Sequence, residues 1–371
     1  MPAFGPTLGP GHLPQPQPDP NSNPGTPAAT PAARKPPRAS GPFVRGQCVR
    51  LAFGDVNYLL MGPPIPAPLI VCIHGLNGCI SSFESVAPRL AESGFRVLCF
   101  DLYGFGLSAA RGRLDLETYV NQVSSLLQAV KVPPTEKVLL FGFSMGGVIA
   151  VEFALRYPER VAKLLLVAPG GLLQRSKTPC QPLLFGCLRT RLGGVLLATA
   201  TSLACCCSCC ARRALAGDKL AERFELDVRE PEKFKSIARQ NGERFLWDLR
   251  RSVNSYLRVL RRMPLWSQDF QDSYARLARG SVPTLFIWGD SDCTVPFSEA
   301  EHAVRDLFSP AGVSCCMLPE SGHGLLLEDA EQVSSIASAW FRDLKDPAWL
   351  AFLARWRLTP SSVAPAVLGA I

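Results

Sequence analysis

Four histidines are all that 371 residues carry, so few side chains are available as a general base near neutral pH. The fourteen cysteines lack the spacing of a disulfide framework or of a zinc site. Several fall inside apolar runs, where a free thiol behaves as a small hydrophobe, which suits a reducing compartment. The first basic residue is Arg34, and Met1-Pro2-Ala3-Phe4-Gly5-Pro6 has no charged start followed by an apolar run. A secretory leader is therefore not expected. No zinc finger, RNA-binding signature or long basic arm is present, so a nucleic-acid partner is not expected despite a net charge of +8. An intracellular protein is expected, cytoplasmic or attached to a membrane on its cytoplasmic side.

What is present is unevenly distributed. Thirteen of the first 42 residues are proline, and Phe4 is the only aromatic before Phe43. Such a stretch cannot bury enough apolar surface to offset its ordering entropy, and 1–42 is expected to be a disordered tail. Between Leu172 and Ser281, 20 Lys plus Arg stand against 10 Asp plus Glu, so this one stretch carries the basic excess. An anionic surface or substrate is the partner such a bias suggests.

Elsewhere, short apolar runs alternate with helical periodicity. Val49–Phe53 and Tyr58–Met61 are expected as strands around a turn at Gly54-Asp55. Leu69–Ile73, Arg96–Phe100, Lys137–Phe141, Val161–Val167, Thr284–Trp288 and Val313–Leu318 are expected as further strands. Helices are expected near Ser81–Ser93, Leu114–Val130, Met145–Tyr157, Pro296–Leu307 and Asp329–Leu344. This order implies a mostly parallel sheet with helices on both faces, whose ligands bind beyond the carboxyl ends of the strands.

The chemistry-bearing residues fall at such ends. Gly142-Phe143-Ser144-Met145-Gly146 lies between a strand and a helix, a context that lifts a serine hydroxyl above the sheet on a tight turn. A serine needs a base. His12 is in the tail, His74 ends a strand upstream, and His302 is mid-helix. His323 stands in Ser321-Gly322-His323-Gly324, a loop between the last strand and the last helix. The histidine in turn needs a carboxylate to hold its tautomer. Asp292, in Trp288-Gly289-Asp290-Ser291-Asp292, is preferred. Asp290 is the alternative, and more simply shapes the turn. Backbone N–H groups of Met145 and Leu76 are the expected donors to a tetrahedral oxyanion. His74 is expected to brace the loop that holds Leu76. No metal or cofactor is expected.

Together with His74-Gly75, Asp101-Leu102-Tyr103-Gly104-Phe105-Gly106-Leu107-Ser108, Pro296 and the second glycine Gly147, these motifs resemble the α/β-hydrolase superfamily. Within it they resemble the branch that holds monoacylglycerol lipases, small esterases, carbon–carbon bond hydrolases and proline iminopeptidases. The resemblance covers about 46–171 and 282–345. It implies a core in two parts, 43–171 and 282–345, with a helical lid at 172–281 inserted after the sixth core strand. It implies the roles named for Ser144, Asp292, His323, Leu76 and Met145. Ser144 argues against epoxide hydrolases and haloalkane dehalogenases, which carry Asp at the nucleophile position.

The stretch 172–281 matches no pattern of that family. Gly193 to Cys210 is eighteen residues without a charge, flanked by Arg189, Arg191, Arg212 and Arg213. The plain reading is a buried lid helix. The sharper one is a membrane-docking segment palmitoylated among Cys205, Cys206, Cys207, Cys209 and Cys210, its arginines meeting anionic head groups. A transmembrane helix would be marginal in length, and a metal site would lack ligand spacing. A helix near Gly242–Met263 is expected to lay Phe245, Leu246, Leu249, Val253, Tyr256, Leu257 and Leu260 over the site. The arginines at 250, 251, 258, 261 and 262 would form its solvated face. A terminal amphipathic helix and tail is expected over 346–371. A serine hydrolase of apolar carboxylic esters, monoacylglycerol-like, is the expected function, with a thioesterase or depalmitoylase as the alternative and an idle hydrolase-like interaction protein as the rival of another class.

Overall fold

The computed structural model describes residues 43, 45–110, 112–174, 228–230, 249–308 and 314–342. Eight strands form one sheet: β1 (Gln47–Leu51), β2 (Gly54–Met61), β3 (Leu69–Ile73), β4 (Arg96–Phe100), β5 (Val138–Phe143), β6 (Val161–Val167), β7 (Thr284–Gly289) and β8 (Ser314–Leu318). Their spatial order is β1-β2-β4-β3-β5-β6-β7-β8. Only the β1–β2 and β2–β4 pairings are antiparallel. All five residues of β3 and of β4 are buried. A strand has no exposed face only when both sides of the sheet are covered, which is why these runs are apolar without alternation.

The helices are α1 (Ala87–Glu92), α2 (Leu116–Ala129), α3 (Met145–Arg156), α4 (Leu249–Arg262), α5 (Ser267–Arg279), α6 (Phe297–Phe308), α7 (Leu325–Glu328) and α8 (Ala330–Phe341). α1 packs on α8, while α2, α3, α5 and α6 form a second contiguous series. Asp115 caps α2, its carboxylate accepting the Thr118 N–H at 3.0 Å, a contribution of about 1 kcal/mol.

The chain leaves β3 for β4 on one side and then returns to place β5 on the other. The carboxyl ends of β3 and β5 therefore flank the point where strand order reverses, the position at which open α/β sheets bind ligands. His74 follows β3 and Ser144 follows β5.

Several boundaries differ from expectation for identifiable reasons. The first hairpin turns at Ala52-Phe53, with Leu51 paired to Gly54, and not at Gly54-Asp55. β2 starts early because Val56 and Asn57 are buried and Asn57 is tied on three sides. Its Oδ1 accepts the Gly46 N–H, its Nδ2 donates to Asp101 and its N–H donates to Ser108 Oγ. The helix expected over 81–93 is a 3₁₀ turn, Ile80–Phe83, followed by α1. Pro88, which lacks an N–H and would clash with a preceding turn, is tolerated only at the start of a helix. α5 is a separate helix beyond the one expected over 242–263, with Phe270, Tyr274 and Leu277 buried at helical spacing. From Arg251 onward, where side chains are described, the buried positions of α4 are Ser255, Val259 and Met263 just beyond it, rather than Val253, Tyr256, Leu257 and Leu260; the Leu249 side chain lies outside those described. Ser255 Oγ lies close against Gly104, so the inward face is set by a small residue meeting backbone. Nor is the arginine face wholly solvated: Arg251 donates to the Ser108 carbonyl and burial depresses the Arg258 guanidinium. Phe245 and Leu246 lie outside the described residues, as do the tail 1–42 and the terminal stretch 346–371.

Asp101, at the end of β4, holds the loops on this side of the sheet. Its Oδ1 accepts the Ile80 N–H at 2.7 Å, and its Oδ2 accepts Asn57 Nδ2 at 2.8 Å and the Leu107 N–H at 2.7 Å. Its own carbonyl accepts Ser108 Oγ and Gln122 Nε2. Asp101→Ala would strand three donors, two of them buried, each of those costing about 1–3 kcal/mol. The expected loss in urea unfolding is about 3 kcal/mol or more, and a loss under about 1 kcal/mol would contradict this role.

Candidate active site

Ser144 is the turn between β5 and α3. Its backbone sits at φ 53°, ψ −122°, a region that non-glycine residues rarely occupy. Three backbone bonds hold it: Ser144 N–H to the Val167 carbonyl at 3.0 Å, and Gly147 and Gly170 N–H to the Ser144 carbonyl, both at 2.9 Å. Close approach explains two glycines. A Cβ on Gly75 would stand 2.9 Å from Ser144 Cβ, and one on Gly146 would stand 2.0 Å from the Ile73 carbonyl oxygen. The backbone after β3 is therefore pressed against the serine side chain.

His323 is brought to the same place from the far end of the chain. Its ring lies 5.0 Å from that of Phe143, the residue before Ser144, at an interplanar angle of 32°. Its Nδ1 is 2.8 Å from Asp292 Oδ2. Asp292 is buried, and its other oxygen accepts the Thr294 and Val295 N–H groups at 2.9 and 2.7 Å. Trp288 Nε1–H closes this loop on the Val295 carbonyl at 2.7 Å. The carboxylate is thus aimed, with one oxygen occupied by backbone and the other facing the imidazole. Because Asp292 accepts from Nδ1–H, the neutral ring keeps its lone pair on Nε2. Asp290, two residues earlier, is exposed and accepts from the Ser291 hydroxyl.

The loop after β3 is set by His74, which is fully buried. Its Nε2 accepts the Leu102 N–H at 2.9 Å, and its Nδ1–H donates to the Gly75 carbonyl at 2.7 Å. The Gly78 N–H reaches the same carbonyl. In a planar trans peptide the C=O and the next N–H point opposite ways, so the Leu76 N–H is turned away from His74. Met145 opens α3, and the first N–H groups of a helix have no carbonyl partner within it. Burial lowers the His74 pKa to about 4, keeping it neutral. His302 is exposed on α6.

The sheet, its topology and the strand-end positions define an α/β-hydrolase. A family model described as serine aminopeptidase, S33, matches residues 64–330, and the chain belongs to that hydrolase family. It is 28% identical over 274 residues to the dihydrolipoyllysine-residue acetyltransferase component of the acetoin cleaving system of Pseudomonas putida, covering 74% of this chain and 63% of that protein. It therefore spans just under two thirds of that relative's length. It is 27% identical to the 2-hydroxy-6-oxononadienedioate/2-hydroxy-6-oxononatrienedioate hydrolase of Klebsiella pneumoniae, covering 72% of this chain and 84% of that one. Among solved structures, a thermophilic esterase from Thermogutta terrifontis superposes with a TM-score of 0.61 at 22% identity, over 80% of this chain and 98% of that one.

Cys205, Cys206, Cys207, Cys209 and Cys210 lie outside the described residues. Among the described residues no helix is long and apolar enough to cross a membrane. Two polar centres escaped the reading of motifs. Asn57 carries no motif. Asp101 was visible only as the first residue of a string, with nothing to say that its carboxylate would gather three donors.

His74 makes the pH dependence of stability testable. The unfolded chain takes up a proton near pH 6.5, whereas the folded chain resists until about pH 4. Its contribution is therefore intact above pH 6.5 and is lost as pH falls toward 4. Between pH 7 and 5 this one group should remove about 2 kcal/mol of stability. His74→Gln should flatten the pH dependence by that amount in urea unfolding at the two pH values; an unchanged slope would reject the assignment.

Proposed function

We propose that the protein hydrolyses carboxylic esters of apolar acids, monoacylglycerol-like in kind, through an acyl-serine intermediate. The observation that carries this reading is the strained turn at Ser144 beside an Asp292–His323 pair whose Nδ1 is already engaged. In this mechanism His323 Nε2 takes the Ser144 proton as Oγ attacks the ester carbonyl. The resulting oxyanion is held by the Leu76 and Met145 N–H groups. Histidine then protonates the leaving alkoxide. Water, deprotonated by the same Nε2, attacks the acyl-enzyme, and the carboxylic acid departs with Ser144 restored. Asp292 keeps the ring in the required tautomer and stabilises the imidazolium. These steps require no cofactor.

The apolar acyl group is suggested by 193–213, which also motivates a peripheral membrane contact through the basic stretch 172–281, with lipidation at the clustered cysteines. A thioester would be cleaved by the same residues. The Klebsiella relative favours a second reading, in which the substrate is a 2-hydroxy-6-oxo-dienoate.

A panel of acyl esters, an acyl thioester and a 2-hydroxy-6-oxo-dienoate separates these readings. Ser144→Ala should lower turnover by about 10⁴-fold or more and abolish labelling by a fluorophosphonate probe. Asp292→Asn should lower kcat by about 10³–10⁴-fold, and Asp290→Asn by about twofold or less. Ester hydrolysis by purified Ser144→Ala at the wild-type rate would sink the proposal.

A further inference from the structure

We propose that Arg229 is a positioning residue for His323, acting through Asp329 and Ser321 to couple residues 228–230 to the histidine loop. The inference rests on the reading of His323 as the base.

Asp329, between α7 and α8, is buried and its carboxylate is divided between two partners. Oδ2 accepts the Ser321 hydroxyl at 2.7 Å, and Oδ1 accepts Arg229 Nη2 at 3.0 Å. Ser321 is itself fully buried and stands two residues before His323. Its carbonyl accepts the N–H of Ser291, the residue before Asp292, at 3.0 Å. Ser321 thus ties the loop carrying His323 to the loop carrying Asp292 by main chain, and is itself tied to Asp329 by side chain.

Arg229 comes from a part of the chain 100 residues away from Asp329. Arg229 is exposed, but its backbone is held. Glu328 accepts the N–H groups of both Arg229 and Glu230, at 2.9 and 2.8 Å, so the backbone of this stretch is fixed against α7. The buried Val228 precedes them. An exposed ion pair contributes little, but a buried carboxylate that loses its cation is left uncompensated. A shift of Asp329 toward solvent would pull on the Ser321 hydroxyl, which otherwise has the Pro319 carbonyl as acceptor. The aligned Asp292–His323 geometry therefore depends on residues 228–230 being seated. A displacement of about 1 Å at such a pair is enough to slow the chemistry substantially.

The test uses the full chain with Arg229→Gln and Arg229→Lys. Amide hydrogen exchange is followed in peptides covering 319–329, and kcat and KM are measured on a short-chain aryl ester. For Arg229→Gln, exchange at 319–326 should quicken and kcat should fall about tenfold, with KM within about twofold of wild type. Arg229→Lys, which keeps the charge, should restore kcat to within about threefold. Unchanged exchange overturns the coupling whatever the activity, as does a rise in KM at constant kcat, which would place Arg229 on substrate. The exchange readout needs no turnover. A wild-type protein inert toward esters whose exchange still responds to Arg229→Gln would refute the ester reading and leave the coupling standing.

Discussion

The turn at Ser144 is the constraint around which the rest is arranged. A non-glycine residue at φ 53°, ψ −122° costs about 1–3 kcal/mol and persists only where its surroundings leave no alternative. Those surroundings are the sheet itself. The Ser144 N–H is bonded to the end of β6, and its carbonyl to Gly147 and Gly170. The backbone after β3 closes the remaining side through Gly75. The contacts come from β6 and the loop after it, from α3 and from the loop after β3, so relaxing the turn would mean disturbing the elements on both sides of β5.

Asp101, Asp292 and Asp329 are buried carboxylates, and each is satisfied differently. Asp101 receives three neutral donors. Asp292 receives two backbone N–H groups on one oxygen and leaves the other for His323. Asp329 is shared between a serine and an arginine from outside the core. A carboxylate saturated by fixed neutral groups has one geometry. One that depends on a cation from a remote stretch has a geometry that that stretch can alter. The two histidines divide in the same way: His74 is buried, neutral and committed on both ring nitrogens, whereas His323 is partly exposed with one nitrogen aimed by Asp292.

The sequence by itself determined the strand order along the chain and the strand-end positions of Ser144, Asp292 and His323. Those features are local: an apolar run reports a strand covered on both faces, and glycines around a serine report a close turn. It distinguished Asp292 from Asp290 by distance from the strand end alone, and the structure buries the first and exposes the second. Tertiary structure decided what depended on partners remote in the chain. The inward face of α4 follows Ser255, Val259 and Met263 because Gly104 admits a small side chain there, which periodicity could not foresee. The three donors on Asp101 come from residues 57, 80 and 107, and the bridge to the histidine loop joins residues 229, 321 and 329. Hydrophobic periodicity records which way a side chain faces; it carries no record of which distant donor will meet a buried carboxylate, because only the packed sheet and its connections bring those groups together.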